Sequence, residues 1–375
     1  MVKTSLFHST CHRLLMSKNK ILFTLRNFLL SPLTFLWEWI YRIRRSFYEY
    51  GILKKKVFKV PVISVGNLSF GGTGKTPTII WLTEWLIEKG LTPAVLTRGY
   101  RGQLEHSSGL LKSGQKFRLN PYDYGDEPLM ISNKMSKGAV IVGKKRADNL
   151  LKYFAEVKPD VVLLDDGFQH LQIYRSFNLV LFDATMGLEK YHVAPRGYLR
   201  EGFSALKDAD AIVISRSDMV SPEHLDKLLK LITSSYHHRP ALALTRYLAA
   251  GVYDVHEQFS CSIENLKGMR VIAVTAIANP NSFYSYLESF GVEICERMSF
   301  ADHYFFTNED VNTLLTKATQ HAAIVLCSEK DMVKMKRVSL DPRILYIKVK
   351  VDFISGETAL INSLSKVLNL DSTVQ

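Results

Sequence analysis

Apolar positions along this chain of 375 residues come in two kinds of run. Short blocks of consecutive apolar residues read as strands buried on both faces, and longer stretches with apolar residues three and four apart read as helices. Residues 60–65 form the first such strand, and the helical pattern over 77–89 ends at Gly90, a residue suited to the position just past a helix. Strand-like blocks recur at 161–164, 179–182 and 211–215, with helical segments between several of them. That order predicts an α/β fold with a mostly parallel sheet, helices on both faces and sites at the carboxyl ends of the strands. Further on, alternation over 241–247 and 252–256 predicts a hairpin. Strands are expected at 270–275, 323–327 and 344–349, and a last helix near 360–368.

Three parts follow from this pattern. Residues 1–55 form an amphipathic head, 56–236 the main α/β domain, and 237–375 a smaller α/β domain. A loop from about Gly99 to Asp126 interrupts the main domain, and its length suggests contacts to a ligand rather than mere connection.

The head combines large apolar residues with charge. Arg26 and Glu38 bracket an uncharged window of only eleven residues containing Pro32, too short and broken for a membrane span of ~20 apolar residues. Leu33, Leu36, Trp37 and Ile40 follow helical spacing, with the basic cluster YRIRRSFYEYGILKKK just beyond. Such a helix is expected to lie in the headgroup layer of an anionic membrane. A core helix with a solvated charged end is the plainer alternative. No small-residue cleavage site follows the apolar stretch, so a cleavable signal peptide is not expected.

Composition narrows the picture. A chain that is 47% hydrophobic and 22% charged is neither disordered nor a disulfide-stapled miniprotein. Its four cysteines lie far apart without a C-x-x-C pair, which suggests no zinc site and fits a reducing, cytosolic compartment. Net charge is +12, yet residues 1–59 hold twelve basic residues against Glu38 and Glu49, leaving +2 for everything else. The folded body is therefore near neutral, and no nucleic-acid partner is expected.

The first strand runs into a glycine-rich turn, Ser69-Phe70-Gly71-Gly72-Thr73-Gly74-Lys75-Thr76, and then into the helix. That context is the one a P-loop NTPase-like fold requires. The glycines let backbone N–H groups turn onto phosphate oxygens, Lys75 reaches the β/γ-phosphates, and the Thr76 hydroxyl ligates Mg2+. Ser69 stands where the usual pattern has glycine. Asp165 and Asp166 close the strand VVLLDD, where an acid holds the magnesium shell in P-loop proteins. Ser215-Arg-Ser-Asp218 follows another strand but lacks the Asn and Lys of a guanine-recognition motif.

Together VISVGNLSFGGTGKTP, LTRGYRG, YGDEP, LLDDGFQH, PRGYLRE, FADHYFF and SEKDMVKM resemble, in order, the motifs of the tetraacyldisaccharide 4′-kinase family. The resemblance implies transfer of the γ-phosphoryl of ATP, with Mg2+, to the 4′-hydroxyl of an acylated glucosamine disaccharide 1-phosphate, a lipid A precursor. It implies Asp126 as base on the acceptor hydroxyl with His303 as its partner. Glu127 joins Asp165 and Asp166 at the metal, and Gln169 and His170 lie beside it. It implies a lipid-linked disaccharide substrate, a peripheral or monotopic place on the cytoplasmic face of the bacterial inner membrane, and no protein partner.

Without the family, Asp126 also reads as a helix-capping carboxylate, and His303 as a structural residue before the capping box Thr307-x-x-Asp310. Arg98, Arg101, Lys144, Lys145 and Arg146 are candidate contacts to an anionic acceptor or to ATP, and the aromatic run from Phe300 to Phe306 is either an acyl-chain contact or core. A membrane-recruited P-loop ATPase acting as a switch, and a non-catalytic nucleotide-binding module, are the alternative functions.

Overall fold

The computed structural model describes residues 29–114, 120–235 and 239–370. The head before residue 29, with Cys11 and its first basic residues, lies outside the described residues, as do positions 115–119 of the expected loop. Ten helices and thirteen strands are described. The helices are α1 (29–49), α2 (Lys75–Glu88), α3 (Pro121–Tyr124), α4 (Asp126–Lys134), α5 (Arg146–Val157), α6 (Pro222–Thr233), α7 (Pro280–Glu288), α8 (Asn308–Gln320), α9 (Glu329–Met335) and α10 (Glu357–Leu368). The strands are β1 (Val62–Asn67), β2 (Pro93–Thr97), β3 (Gly109–Lys112), β4 (Ala139–Val142), β5 (Val161–Asp165), β6 (Phe177–Asp183), β7 (Ala211–Ser215), β8 (Ala241–Asp254), β9 (Phe259–Cys261), β10 (Arg270–Thr275), β11 (Glu293–Ser299), β12 (Ile324–Ser328) and β13 (Ile344–Ser355).

All thirteen strands join one sheet in the order β11-β10-β12-β13-β8-β7-β6-β1-β5-β2-β4-β3, with β9 on β8. From β8 to β4 every neighbour is parallel, and so is every neighbour from β11 to β13. These two parallel halves meet in the antiparallel pair β8–β13. The α/β fold with a mostly parallel, helix-covered sheet is thus present, and every residue of β1, β2, β4, β5 and β7 is buried, as strands covered on both faces must be.

Two expectations are corrected. The hairpin expected over 241–256 is instead the single long strand β8, because Gly251, with φ +132°, takes up an irregularity in the pairing rather than a chain reversal, and β13 pairs with β8 from Leu244 to Asp254. The interval from Gly99 to Asp126 is more than a loop. It folds as a 3-10 turn at Gln103–His106, the edge strand β3 antiparallel to β4, and the short helix α3 capped by Asn120.

The sheet runs unbroken past residue 236, and α10 crosses back. Its Leu360 and Leu364 are buried in the same cluster as Ile63, Ile79, Leu86 and Val213 of the first half. A second cluster around Val274, Leu314, Val325 and Phe306 forms the core of the other half, so the run from Phe300 to Phe306 is partly core: Phe300, Tyr304 and Phe306 pack on one another. Phe305 turns the other way and stacks on Tyr122 at 4.1 Å, across the two halves.

Helix α1 runs through Pro32 and leaves Leu33, Phe35, Leu36, Trp39 and Ile40 exposed. Among the described residues no helix is long and apolar enough to cross a membrane. The basic cluster beyond it is less free than its sequence suggests. Arg42 pairs with Glu38 one turn back on α1, while Lys56 pairs with Asp148 and Arg45 is buried against Glu201 and Asp208, carboxylates that the body presents to this segment.

Candidate active site

The turn between β1 and α2 is held from below by side chains. Asn67 Nδ2 donates to Thr73 Oγ1 at 2.9 Å, Ser215 Oγ to the Thr73 carbonyl at 3.0 Å, and Arg216 Nη2 to the Gly72 carbonyl at 2.8 Å. Phe70 N–H donates to the Tyr198 carbonyl at 2.7 Å. Gly74 has φ +87°, and a Cβ there would meet the Tyr247 hydroxyl at 1.8 Å, so only glycine closes the turn. Ser69, in place of the usual glycine, sits buried in a bridge to Leu199, a role that a side chain tolerates. Arg216 of the rejected guanine signature is committed to Asp183 and the turn.

Lys75 Nζ lies 3.4 Å from Asp166 Oδ1, and Arg200 Nη1 lies 2.8 Å from Asp166 Oδ2. Burial raises the Asp166 carboxyl, but Lys75 and Arg200 outweigh it and bring it down to about 2. Asp165, next along β5, is buried and accepts from Thr97 Oγ1 at 2.8 Å. Burial, then the charges of Glu127 and Asp166, push it up to about 6. Among the described residues no three His, Cys, Asp or Glu side chains gather into a group able to hold a metal ion. The set Thr76, Asp165, Asp166 and Glu127 is therefore not a preassembled cage. Asp165 and Asp166 still offer hard oxygen ligands beside the phosphate turn, and Mg2+ is commonly held by one or two carboxylates with phosphate and water completing its shell.

Asp126 begins α4 after Gly125, and His303 sits in the turn after β11 with φ +61°. The two halves of the sheet bring them together: His303 Nδ1 is 3.0 Å from both carboxylate oxygens of Asp126. On the other side of the ring, Lys330 Nζ is 3.2 Å from Nε2. An ammonium donating to Nε2 and a carboxylate accepting at Nδ1 assign the Nδ1–H tautomer. Lys330 also faces Glu127 and Asp302 at 3.5 Å each, and Lys334 Nζ is 3.7 Å from Asp126 Oδ2. Burial would raise the Asp126 carboxyl, yet the His303 hydrogen bond with Lys330 and Lys334 holds it down at about 2. Burial pulls Lys330 down, and Glu127, Asp126 and Asp302 more than restore it, so its ammonium is held charged. Asp126 Oδ1 accepts the Glu127 N–H at 2.9 Å, so the helix-start role and the pairing with His303 coexist. The capping box of Thr307 and Asp310 is also present.

The remaining expected residues separate. Gln169 commits its amide to protein: Nε2 donates to the Asn67 carbonyl at 2.9 Å and to Glu201 at 2.8 Å. His170 turns toward Arg146, whose charge adds to burial in lowering its pKa to about 4. Both line a cavity of about 930 Å³ bounded by Arg44 and Tyr48 of α1 and by Arg98, Lys144, Lys145 and Arg146. Arg101 instead ties the halves, donating to the Asp302 carbonyl at 2.7 Å. Sequence reasoning missed Arg200, Glu201, Lys330 and Lys334. They stand inside the quoted PRGYLRE and SEKDMVKM stretches, but nothing in spacing shows that they face carboxylates from elsewhere in the chain.

The family model for tetraacyldisaccharide-1-P 4′-kinase matches residues 26–369. A tetraacyldisaccharide 4′-kinase from Desulfotalea psychrophila is 35% identical over 322 residues, 85% of this chain and 90% of that protein. One from Anaeromyxobacter sp. is 32% identical over 345 residues, 91% of this chain and 92% of that protein. The crystal structure of LpxK from Aquifex aeolicus in complex with ATP aligns with a TM-score of 0.71 at 26% identity, covering 90% of this chain and 98% of that one. With its motifs in order and the family model matched over residues 26–369, this chain belongs to the tetraacyldisaccharide-1-phosphate 4′-kinase family.

Proposed function

We propose that the chain transfers the γ-phosphoryl group of ATP to the 4′-hydroxyl of an acylated glucosamine disaccharide 1-phosphate, with Asp126 as proton acceptor. The single observation that supports this most is the Asp126–His303 pair, drawn from the two halves of the sheet and linked through Lys330 to Glu127. In this reading, residues 56–236 carry the nucleotide and residues 237–375 contribute the histidine. Loop amides from Ser69 to Thr76 and the Lys75 ammonium hold the phosphates. Thr76 with Asp165 and Asp166, and Glu127 nearby, would hold Mg2+, which neutralises phosphate charge. Phosphoryl transfer asks for in-line positioning and charge neutralisation more than covalent help. A carboxylate at about 2 is a weak base, so it orients the hydroxyl and takes its proton as the new P–O bond forms. His303, fixed between Lys330 and Asp126, holds the carboxylate in place.

The acceptor's 1-phosphate suits the basic cavity, where Arg146 is buried at the start of α5 with Nε lacking a partner. The exposed apolar face of α1, whose later residues Arg44 and Tyr48 line that cavity, suits acyl chains and a bilayer surface, and it supports a peripheral or monotopic place at the cytoplasmic face of the inner membrane. The test is incubation of the full chain with γ-labelled ATP and the acylated disaccharide phosphate, followed by thin-layer separation. Label should move to the lipid, and Asp126→Ala should lose transfer while still binding nucleotide. ATP hydrolysis with no labelled lipid would overturn the reading in favour of a membrane-recruited switch.

A further inference from the structure

Arg45 stands in the basic cluster of α1, where a cation would be expected to face lipid, yet its side chain is only 9% exposed. The guanidinium lies 5.0 Å from the centre of the Phe168 ring. Nε and Nη2 donate to one oxygen of Glu201 at 3.2 and 2.8 Å, and Nη1 meets Asp208. A charge hidden in this way contributes nothing to attraction toward a membrane.

What it touches leads into the nucleotide turn. The other Glu201 oxygen accepts from Gln169 Nε2 at 2.8 Å, and Gln169 Oε1 faces Arg200 Nη1 at 3.4 Å. Arg200 Nη1 donates to Asp166 at 2.8 Å, and Asp166 faces Lys75 at 3.4 Å. The same strap of chain is stitched to the turn by its backbone, with Arg200 N–H on the Leu68 carbonyl at 2.6 Å and Phe70 N–H on the Tyr198 carbonyl at 2.7 Å. Helix α1 grips the strap a second time, Trp37 Nε1 donating to the Arg200 carbonyl at 2.9 Å.

We propose that Arg45 is a positioning residue for phosphoryl transfer: through Glu201 and Gln169 it sets the Arg200–Asp166 pair beside Lys75, so that α1 is part of the site as well as its anchor. Arginine suits this place because its planar fork spans two carboxylates at fixed angles, and a lysine ammonium would restore the charge without that geometry. Without it, buried Glu201 keeps only the Gln169 hydrogen bond and the charge of Arg175, and must turn or take a proton. Gln169 then loses its acceptor, and Arg200 its neighbour. The inference rests on the proposed roles of Lys75 and Asp166.

The test uses the full chain. Binding of a fluorescent ATP analogue with Mg2+ is measured without acceptor, transfer is measured in mixed micelles, and sedimentation is measured with phosphatidylglycerol–phosphatidylethanolamine vesicles. Arg45→Met should weaken nucleotide binding about tenfold and lower kcat by a similar factor while sedimentation stays as in the wild type. Arg45→Lys should recover part of the binding. Lys207→Ala breaks the exposed pair with Glu49 that also joins α1 to the body, and should leave nucleotide binding unchanged. Wild-type binding by Arg45→Met, or an equal loss in Lys207→Ala, overturns the proposal. If Arg45→Met does not fold, Glu201→Gln, of nearly the same shape, decides: severalfold weaker binding supports the proposal and unchanged binding overturns it. A wild-type chain that fails to bind Mg2+ and nucleotide overturns the functional reading and this inference together.

Discussion

Asp126 and Asp165 are both buried carboxylates of the candidate site, and their pKa values are displaced in opposite directions. Asp126, walled by groups from both halves of the sheet, is held at about 2, while Asp165, set among residues of the first half alone, rises to about 6. Burial penalises both alike. The difference is in the neighbours: His303, Lys330 and Lys334 face Asp126, whereas Glu127 and Asp166 face Asp165. The first environment keeps the carboxylate proposed as proton acceptor charged and held in place. In the second, burial and two neighbouring acids outweigh Lys75 and raise the carboxyl, a bias that a bound divalent cation would reverse.

Four experiments test that contrast. The largest effect is expected from Asp126→Asn set against Asp165→Asn. The former should lower transfer about 10²–10⁴-fold with nucleotide affinity retained, and the latter should weaken the dependence on Mg2+ instead. Matching phenotypes in kinetics and nucleotide titration would erase the distinction. Next, Lys334→Met removes a buried cation 3.3 Å from Asp331 and 3.7 Å from Asp126. The loss should be about 3–5 kcal/mol in urea unfolding, because two buried acids are left without it.

The third is a pH series on metal-free protein. The Asp126 pKa is lowered by folding, so its contribution to stability is full above about pH 4 and is lost as pH falls toward about 2. The Asp165 pKa is raised, so its contribution is full below about pH 4 and is lost as pH rises through about 6. Measured against Asp165→Asn, the wild type should therefore lose on the order of 2 kcal/mol between pH 4 and 7, and measured against Asp126→Asn it should stay level over that range. A level Asp165 comparison would contradict the raised value. The smallest effect is expected from Thr97→Val, which deletes the hydrogen bond to Asp165 and should cost about 1 kcal/mol while pushing the carboxyl higher still. A steeper fall in Mg2+ binding from pH 8 to pH 6 than the wild type shows would be its signature.

Much of the fold was legible because strands covered on both faces are written as unbroken apolar blocks: the expected 211–215 and 270–275 are β7 and β10. The long strand β8 was misread because alternation cannot distinguish a hairpin from one strand that bends, and only pairing with β13 decides between them. At the candidate site, the glycine-rich turn was legible since its glycines and Lys75-Thr76 lie within a dozen residues of one another. Lys330 and Lys334 were not, because a lysine on a short helix looks solvated until the partner surface is known. Arg45 was misread for the same reason. Its carboxylates lie about 160 positions away in the chain.

The local grammar of this chain, then, was determined by sequence alone: which blocks are strands, where the phosphate turn lies, and which motifs belong to the family. Tertiary structure decided which charges are hidden, which carboxylate is low and which high, and which lysines face them. The reason is physical. Backbone conformation and turn chemistry depend on neighbours along the chain, whereas the state of a buried charge depends on a few groups within about 4 Å, whatever their distance in sequence.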